Sequence, residues 1–296
     1  GRLGSSRGSA LNYSNLTIAV ITHEIDSFQG SAYLLHHMCD VWMQQGANIV
    51  VIKGPNQPLP EADVAFLHTD ITAVGADYGA IIEHYPRVIN GRVTDISKTV
   101  FSDELVDRFS SYDGPVIVKT NANFGGQRER ELKFRAGDYN SEIDIQRPWR
   151  KVEWLDEYPI FKSLRDVPTG VWRNDKLVVE KYHTEQNENG EYVLRVWVFF
   201  GDKEVYYACI SNEPLIKSHN TLRREFLDAN DIPESLLQKR AELGFELGKF
   251  EFSISDEGVA LYDVNRTPGS ARNVEDQEQV AALIRMLSTG LESLIA

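Results

Sequence analysis

The sequence predicts an α/β protein built from more than one lobe, and three observations carry that reading. The 296 residues exceed what a single hydrophobic core usually holds. The first third alternates short β-branched runs with a stretch of helical period, as a doubly wound parallel sheet requires. The remainder shifts to paired alternating runs separated by turn residues, the pattern of antiparallel hairpins.

The first run, Leu16-Thr17-Ile18-Ala19-Val20-Ile21, suits a central parallel strand. Residues 31–45 place Leu34, Leu35, Met38, Val41 and Trp42 at helical spacing, with Gly46 as the stop. Further strands are predicted at Asn48-Ile49-Val50-Val51-Ile52, Asp63-Val64-Ala65-Phe66-Leu67 and Arg87-Val88-Ile89-Asn90. Residues 16–97 thus read as a Rossmann-like lobe, and 1–15 as a disordered leader or tag. No GxGxxG follows the first strand, which argues against a nicotinamide-dependent oxidoreductase. His23, Glu24, Asp26 and Ser27 after the first strand, and His68-Thr69-Asp70 after the third, lie where such sheets admit ligands. Caps and turns explain them equally well.

A helix is expected over 102–110, then a strand Val116-Ile117-Val118-Lys119 and a loop ending in Phe124-Gly125-Gly126. Residues 127–160 are charged with little periodicity, which predicts an insertion or mobile lid anchored by Trp149, Trp154 and Trp172. Next come a strand, Leu177-Val178-Val179-Glu180-Lys181-Tyr182, and a hairpin of runs 192–200 and 204–210. A helix over 233–247 precedes a last hairpin of runs 249–254 and 259–264. The terminal helix carries Val280, Leu283, Ile284, Leu287, Leu291 and Leu294 on one face, for its own core or for a second subunit of a homodimer.

Composition narrows the function classes. A net charge of −13 repels nucleic-acid phosphates over most of the surface, so no polynucleotide partner is expected. It leaves nucleotides open, because a few local lysines outweigh a distant screened field. No apolar stretch approaches the roughly 20 residues of a bilayer span, so no membrane partner is expected. Without a secretory h-region, the chain is placed in the cytoplasm. Cys39 and Cys209 are too few for a disulfide scaffold or zinc site.

The chemistry concentrates in the last hairpin. Alternation puts Lys249 and Glu251 on one face of its first strand, and Asp263 and Asn265 on one face of its second. Two carboxylates and an amide oxygen are hard ligands suited to Mg²⁺. Lys119 ends a strand before Gly125-Gly126, where glycine lets backbone N–H groups approach phosphate. In that order, Lys119, the glycine loop, Glu180-Lys181, the hairpin with Arg195, Glu251 and Asp263-Val264-Asn265-Arg266-Thr267-Pro268-Gly269 resemble the ATP-grasp superfamily. The final motif is similar to that of D-alanine–D-alanine ligases and glutamate-ligase-like relatives, and the resemblance covers about residues 98–270.

The resemblance implies an ATP-grasp fold in which two sheet lobes, 98–180 and 181–296, clasp ATP behind a pre-ATP-grasp lobe. It implies that Lys98 and Lys119 reach the phosphates, with Gly125 and Gly126 alongside and Lys217 at the γ-phosphate. Glu180, Lys181 and the Tyr182–His183 backbone would meet adenine, and Glu185, Glu188 or Glu191 the ribose. Glu251, Asp263 and Asn265 would bind Mg²⁺ or Mn²⁺, while Lys249, Arg195 and Arg266 would hold the acyl phosphate or substrate carboxylate. The implied reaction joins a small-molecule carboxylate to an amine, an amino acid or peptide, through an acyl phosphate. Phosphoryl transfer to another nucleophile and a non-turning-over nucleotide-binding regulator are the alternatives.

Overall fold

The computed structural model describes residues 11–137, 148–270 and 277–295. The chain enters through a one-turn helix, Tyr13–Asn15, whose buried Tyr13 packs with Leu11 on the first core. Residues 11–15 are therefore part of the fold rather than a leader, and 1–10 lie outside the described residues.

The N-terminal unit comprises β1 (Thr17–Thr22), α1 (Leu34–Gln44), β2 (Asn48–Lys53), β3 (Val64–Leu67), α2 (Gly79–His84) and β4 (Val88–Ile89). Its four strands run parallel in the order β2-β1-β3-β4. Alternation along β1 sends Ile18 and Val20 to a core containing Leu35, Met38 and Trp42 of α1. Ala19 and Ile21 go to another containing Ile81 of α2. Helices on both faces make the sheet doubly wound, as the β-branched runs predict.

Next come α3 (Lys98–Phe101), β5 (Val116–Thr120), α4 (Gln127–Arg135), β6 (Ile160–Phe161) and β7 (Leu177–Lys181). Strands β6, β5 and β7 form a small antiparallel sheet, with Trp149 and Trp172 packed against its core. Two expectations fail here. Residues 102–110 form no helix, because the segment runs extended beside β7. Val106 N–H donates to Val179 O at 2.9 Å, and Lys181 N–H donates to Glu104 O at 2.9 Å. The opening of the charged stretch, by contrast, is helical. In α4 a single buried apolar residue, Leu132, gives no visible period, while Glu131 pairs with Arg128 at 2.7 Å and Arg135 at 3.0 Å. The part of the insertion at 138–147 lies outside the described residues.

The C-terminal sheet contains β8 (Glu185–Gln186), β9 (Tyr192–Phe200), β10 (Lys203–Ser211) and β11 (Arg223–Phe226). After α5 (Glu234–Leu243), which is shorter than the predicted 233–247, it adds β12 (Leu247–Ser255) and β13 (Gly258–Asn265). The order is β11-β10-β9-β12-β13, antiparallel, with β8 on β9. The chain closes with α6 (Gln277–Ser288) and α7 (Glu292–Ile295). Leu283, Ile284, Leu287, Leu291 and Leu294 pack on the core under α1, so this apolar face is covered within the chain. Among the described residues no helix is long and apolar enough to cross a membrane.

Candidate active site

A cavity of about 620 Å³ opens between the small sheet and the C-terminal sheet. Lys119, Gly125, Lys181, Tyr182, His183, Lys217, Lys249, Glu251, Asp263 and Asn265, all singled out in the sequence, line it. Strand pairing brings the acidic set together. Glu251 lies opposite Asp263 and Lys249 opposite Asn265 across β12 and β13. Lys249 Nζ donates to Glu251 Oε1 at 2.6 Å. Burial works against that ammonium, but Glu251 and then Tyr207 hold its pKa above the usual lysine value.

Two carboxylates directly opposite one another repel, so the pair needs compensation. Burial pushes the Asp263 carboxyl above the ordinary aspartate range and Glu251 adds to this, while Lys98 and Lys119 oppose it. Asp263 Oδ1 is buried without a hydrogen-bond partner, and the Lys98 ammonium stands 3.8 Å from it. An orphaned carboxylate oxygen beside a second carboxylate fits a hard divalent cation. Among the described residues no three His, Cys, Asp or Glu side chains gather to cage a metal. The two acids present are the number that Mg²⁺ commonly takes, its other positions going to water and substrate phosphate. Asn265 commits part of its capacity elsewhere, since its amide oxygen accepts the Thr267 N–H at 2.8 Å.

Six sequence expectations need correction. Arg266 is fully buried away from the cleft and donates to Val93 O (2.6 Å), Thr69 O (2.8 Å) and Ile71 O (2.6 Å). It ties β13 to the loops of the N-terminal unit. Arg195 faces the core beside Phe252, because alternation gives the cleft Leu194 and Val196 instead. Its guanidinium grips Glu185 at 2.6 Å and donates to Tyr206 Oη at 2.8 Å. Glu180 does not meet the cleft; its Oε2 lies 2.7 Å from Lys119 Nζ. Lys98 sits fully buried behind Asp263 and donates to Ala122 O at 3.2 Å. Gly126 backs onto Glu153 O rather than the cleft. Gly125 reaches the cleft with φ +66°, and a Cβ there would fall 2.3 Å from Leu155 O, so packing alone demands glycine. Finally, the Tyr182 N–H already donates to Pro115 O at 2.9 Å, and the His183 carbonyl accepts from Tyr262 Oη at 2.9 Å. Part of the strand edge expected to meet adenine is therefore used within the chain.

Lys217 reaches across the cleft and donates to Asp156 O at 3.0 Å, joining loops of the two sheets. Of the ribose candidates, Glu185 lines the cavity, whereas Glu191 is held by Arg223 at 2.7 Å. Sequence reasoning missed Tyr262, over whose ring Lys119 Nζ stands at 5.3 Å. A register shift after Glu251 lets adjacent Tyr262 and Asp263 both meet the cavity, and strict alternation cannot foresee that. It also missed Tyr207 and Arg224, which line the end towards β11.

No family model and no curated protein matches the sequence. Solved structures similar to the chain include a D-alanine–D-alanine ligase from Bacillus anthracis, 12% identical with a TM-score of 0.48. That alignment covers 94% of this chain and 98% of the ligase. A RimK domain ATP-grasp protein from Sphaerobacter thermophilus is 9% identical with a TM-score of 0.49, covering 95% of this chain and all of the other (100%). A D-cycloserine synthetase is 12% identical with a TM-score of 0.49, covering 92% and 98%.

Proposed function

We propose that the chain is an ATP-dependent carboxylate–amine ligase. The observation that carries this reading is the placement of Asp263 and Glu251 opposite one another, on a cavity that also receives Lys119, Lys217 and Lys249. Acids beside several cations suit a polyphosphate with its counter-ion better than any nucleophile–base pair. On this reading 16–97 is the pre-ATP-grasp lobe, and 98–180 and 181–296 clasp ATP.

Lys119 and Lys217 neutralise the phosphates, and Lys249 faces the transferring group. Glu251, Asp263 and the remaining lone pair of Asn265 would hold Mg²⁺, which supplies charge neutralisation at the phosphate oxygens. The substrate carboxylate oxygen attacks the γ-phosphorus, the bond to the bridging oxygen breaks, and ADP leaves. The amine nitrogen then attacks the acyl carbon, a C–N bond forms, inorganic phosphate departs, and the amine proton passes to solvent. The chain's contribution is positioning and exclusion of water, helped by Lys217 closing onto the Asp156 carbonyl.

The test measures ADP and phosphate release from MgATP with pooled carboxylic acids and amines, and identifies products by mass spectrometry. ADP together with a condensed product is expected. Turnover without condensation makes the chain a phosphotransferase, and absence of both turnover and an ATP-induced thermal shift overturns the reading.

A further inference from the structure

We infer that the carboxylate substrate is an acidic peptide of about three residues or more, whose apolar side chain lies on Tyr207 and Phe226 and whose second acid is taken by Arg224. The inference rests on the ligase reading and names its substrate class.

Strand register defines a shelf. Glu251 pairs with Val196, Val196 with Tyr207, and Tyr207 with Phe226, a single cross-strand row whose first three members line the cleft and whose last, Phe226, lies just beyond it on the same face. Neighbouring strands stand about 4.8 Å apart, so the row extends about 14 Å from the carboxylates to the sheet edge. Its far part is apolar. The Tyr207 and Phe226 ring centroids are 6.3 Å apart, and Phe226 remains 53% exposed.

Arg224 stands one row further along the same face of β11, opposite Cys209. It is exposed, lines the cavity, and makes no ion pair among the described residues. Its cross-strand neighbour is Cys209, whose thiol is a weak acceptor. The adjacent Arg223 is bound by Glu191 and Glu225, each at 2.7 Å. In a chain of net charge −13, a guanidinium left without an acid on a cavity wall is a ready carboxylate fork.

Length then selects the substrate. One residue of extended chain spans about 3.3–3.6 Å, so a free amino acid at Glu251 and Asp263 cannot also engage Phe226 and Arg224. About three residues span roughly 10–11 Å, and the side chains at their two ends cover the rest of the row. All four residues of β11 are exposed and the strand is a sheet edge, so a longer peptide has an open way out.

Binding of N-acetylated, C-amidated Glu-Phe-Glu and Glu-Leu-Glu is compared with N-acetylglutamate amide by calorimetry, in MgAMP-PNP. The tripeptides are expected to bind at least tenfold more tightly than the single residue. Arg224→Gln is expected to remove that advantage, and Phe226→Ser to weaken Glu-Phe-Glu several-fold. The AMP-PNP-induced thermal shift checks that each variant is folded with its nucleotide site intact. Equal affinities for tripeptide and single residue, no tripeptide binding, or an unchanged advantage in a folded Arg224→Gln variant overturns the proposal. Tripeptide binding lost in Arg224→Gln, in a protein that never releases ADP, overturns the ligase reading and leaves this subsite standing.

Discussion

Lys119 Nζ lies 2.7 Å from Glu180 Oε2, and the two side chains are 8% and 2% exposed. β5 and β7 bring them together by pairing Lys119 with Val178 and Ile117 with Glu180. Two charges expected at separate parts of a nucleotide are thus one buried pair. The ammonium still reaches the cavity, over the Tyr262 ring.

Breaking such a pair leaves one buried charge uncompensated, which costs about 3–5 kcal/mol. Glu180→Gln and Lys119→Met are each expected to lose stability on that scale in urea unfolding. Lys119→Met/Glu180→Met is expected to recover most of it, since the apolar replacements need no partner. The double variant still loses affinity for ATP, because the phosphate-facing cation is gone. A coupling energy near zero in the double-mutant cycle removes the pair from the account of both stability and site.

The elements were legible where one property dominated. The β-branched runs at 16–21 and 48–52 gave parallel strands, and the turns at Gly201-Asp202 and Asp256-Glu257-Gly258 gave the hairpins. The acidic cluster was legible only in its halves: alternation puts Lys249 with Glu251 and Asp263 with Asn265, but the register shift after Glu251 is what sets Glu251 opposite Asp263. Arg266 was not. A guanidinium serves a substrate or three backbone carbonyls equally well, and the carbonyls of Thr69, Ile71 and Val93 lie 197, 195 and 173 residues away in sequence. Tyr262 was hidden by the register shift, and Arg224 by a strand too short to display a period.

Arg266→Met is expected to be a folding variant. Three buried carbonyls lose their donor, at about 1–3 kcal/mol each. Burial pulls the Arg266 pKa down to about 10, so the buried charge is itself a cost that methionine does not carry, and the lost hydrogen bonds decide the sign. Melting temperature should fall steeply, while KM values measured below the new transition stay near those of the parent. A raised KM in a protein of unchanged melting temperature returns Arg266 to the substrate.

Asp263→Asn tests the metal assignment with little change in shape. Burial and Glu251 disfavour the Asp263 carboxylate while the buried Lys98 ammonium 3.8 Å away favours it, so these effects offset and the neutral amide should change the melting temperature of nucleotide-free protein little. Turnover should fall about 10²–10³-fold, the usual scale for loss of an electrostatic stabiliser, with a higher Mg²⁺ requirement in what remains. Glu251→Gln should follow the same direction. Full activity of Asp263→Asn at the parent's Mg²⁺ concentration sinks the assignment.

His68 makes acid stability measurable at a defined side chain. It is 1% exposed, between the rings of Phe28 at 5.4 Å and Tyr33 at 4.8 Å, and neither ring nitrogen has a hydrogen-bond partner. Burial pulls its pKa down to about 4; Asp70 opposes this and Arg266 adds to it. The folded protein thus holds His68 neutral, while an unfolded chain protonates it near 6.5. Its contribution to stability is fully present above about 6.5 and is lost as pH falls from there towards 4. At about 1.4 kcal/mol per pKa unit, the loss is on the order of 3 kcal/mol. His68→Phe keeps the aromatic contacts and removes the proton site, so its stability should fall less between pH 7 and pH 4. Urea unfolding of both proteins across that range decides the matter: parallel pH profiles mean that His68 does not titrate with folding.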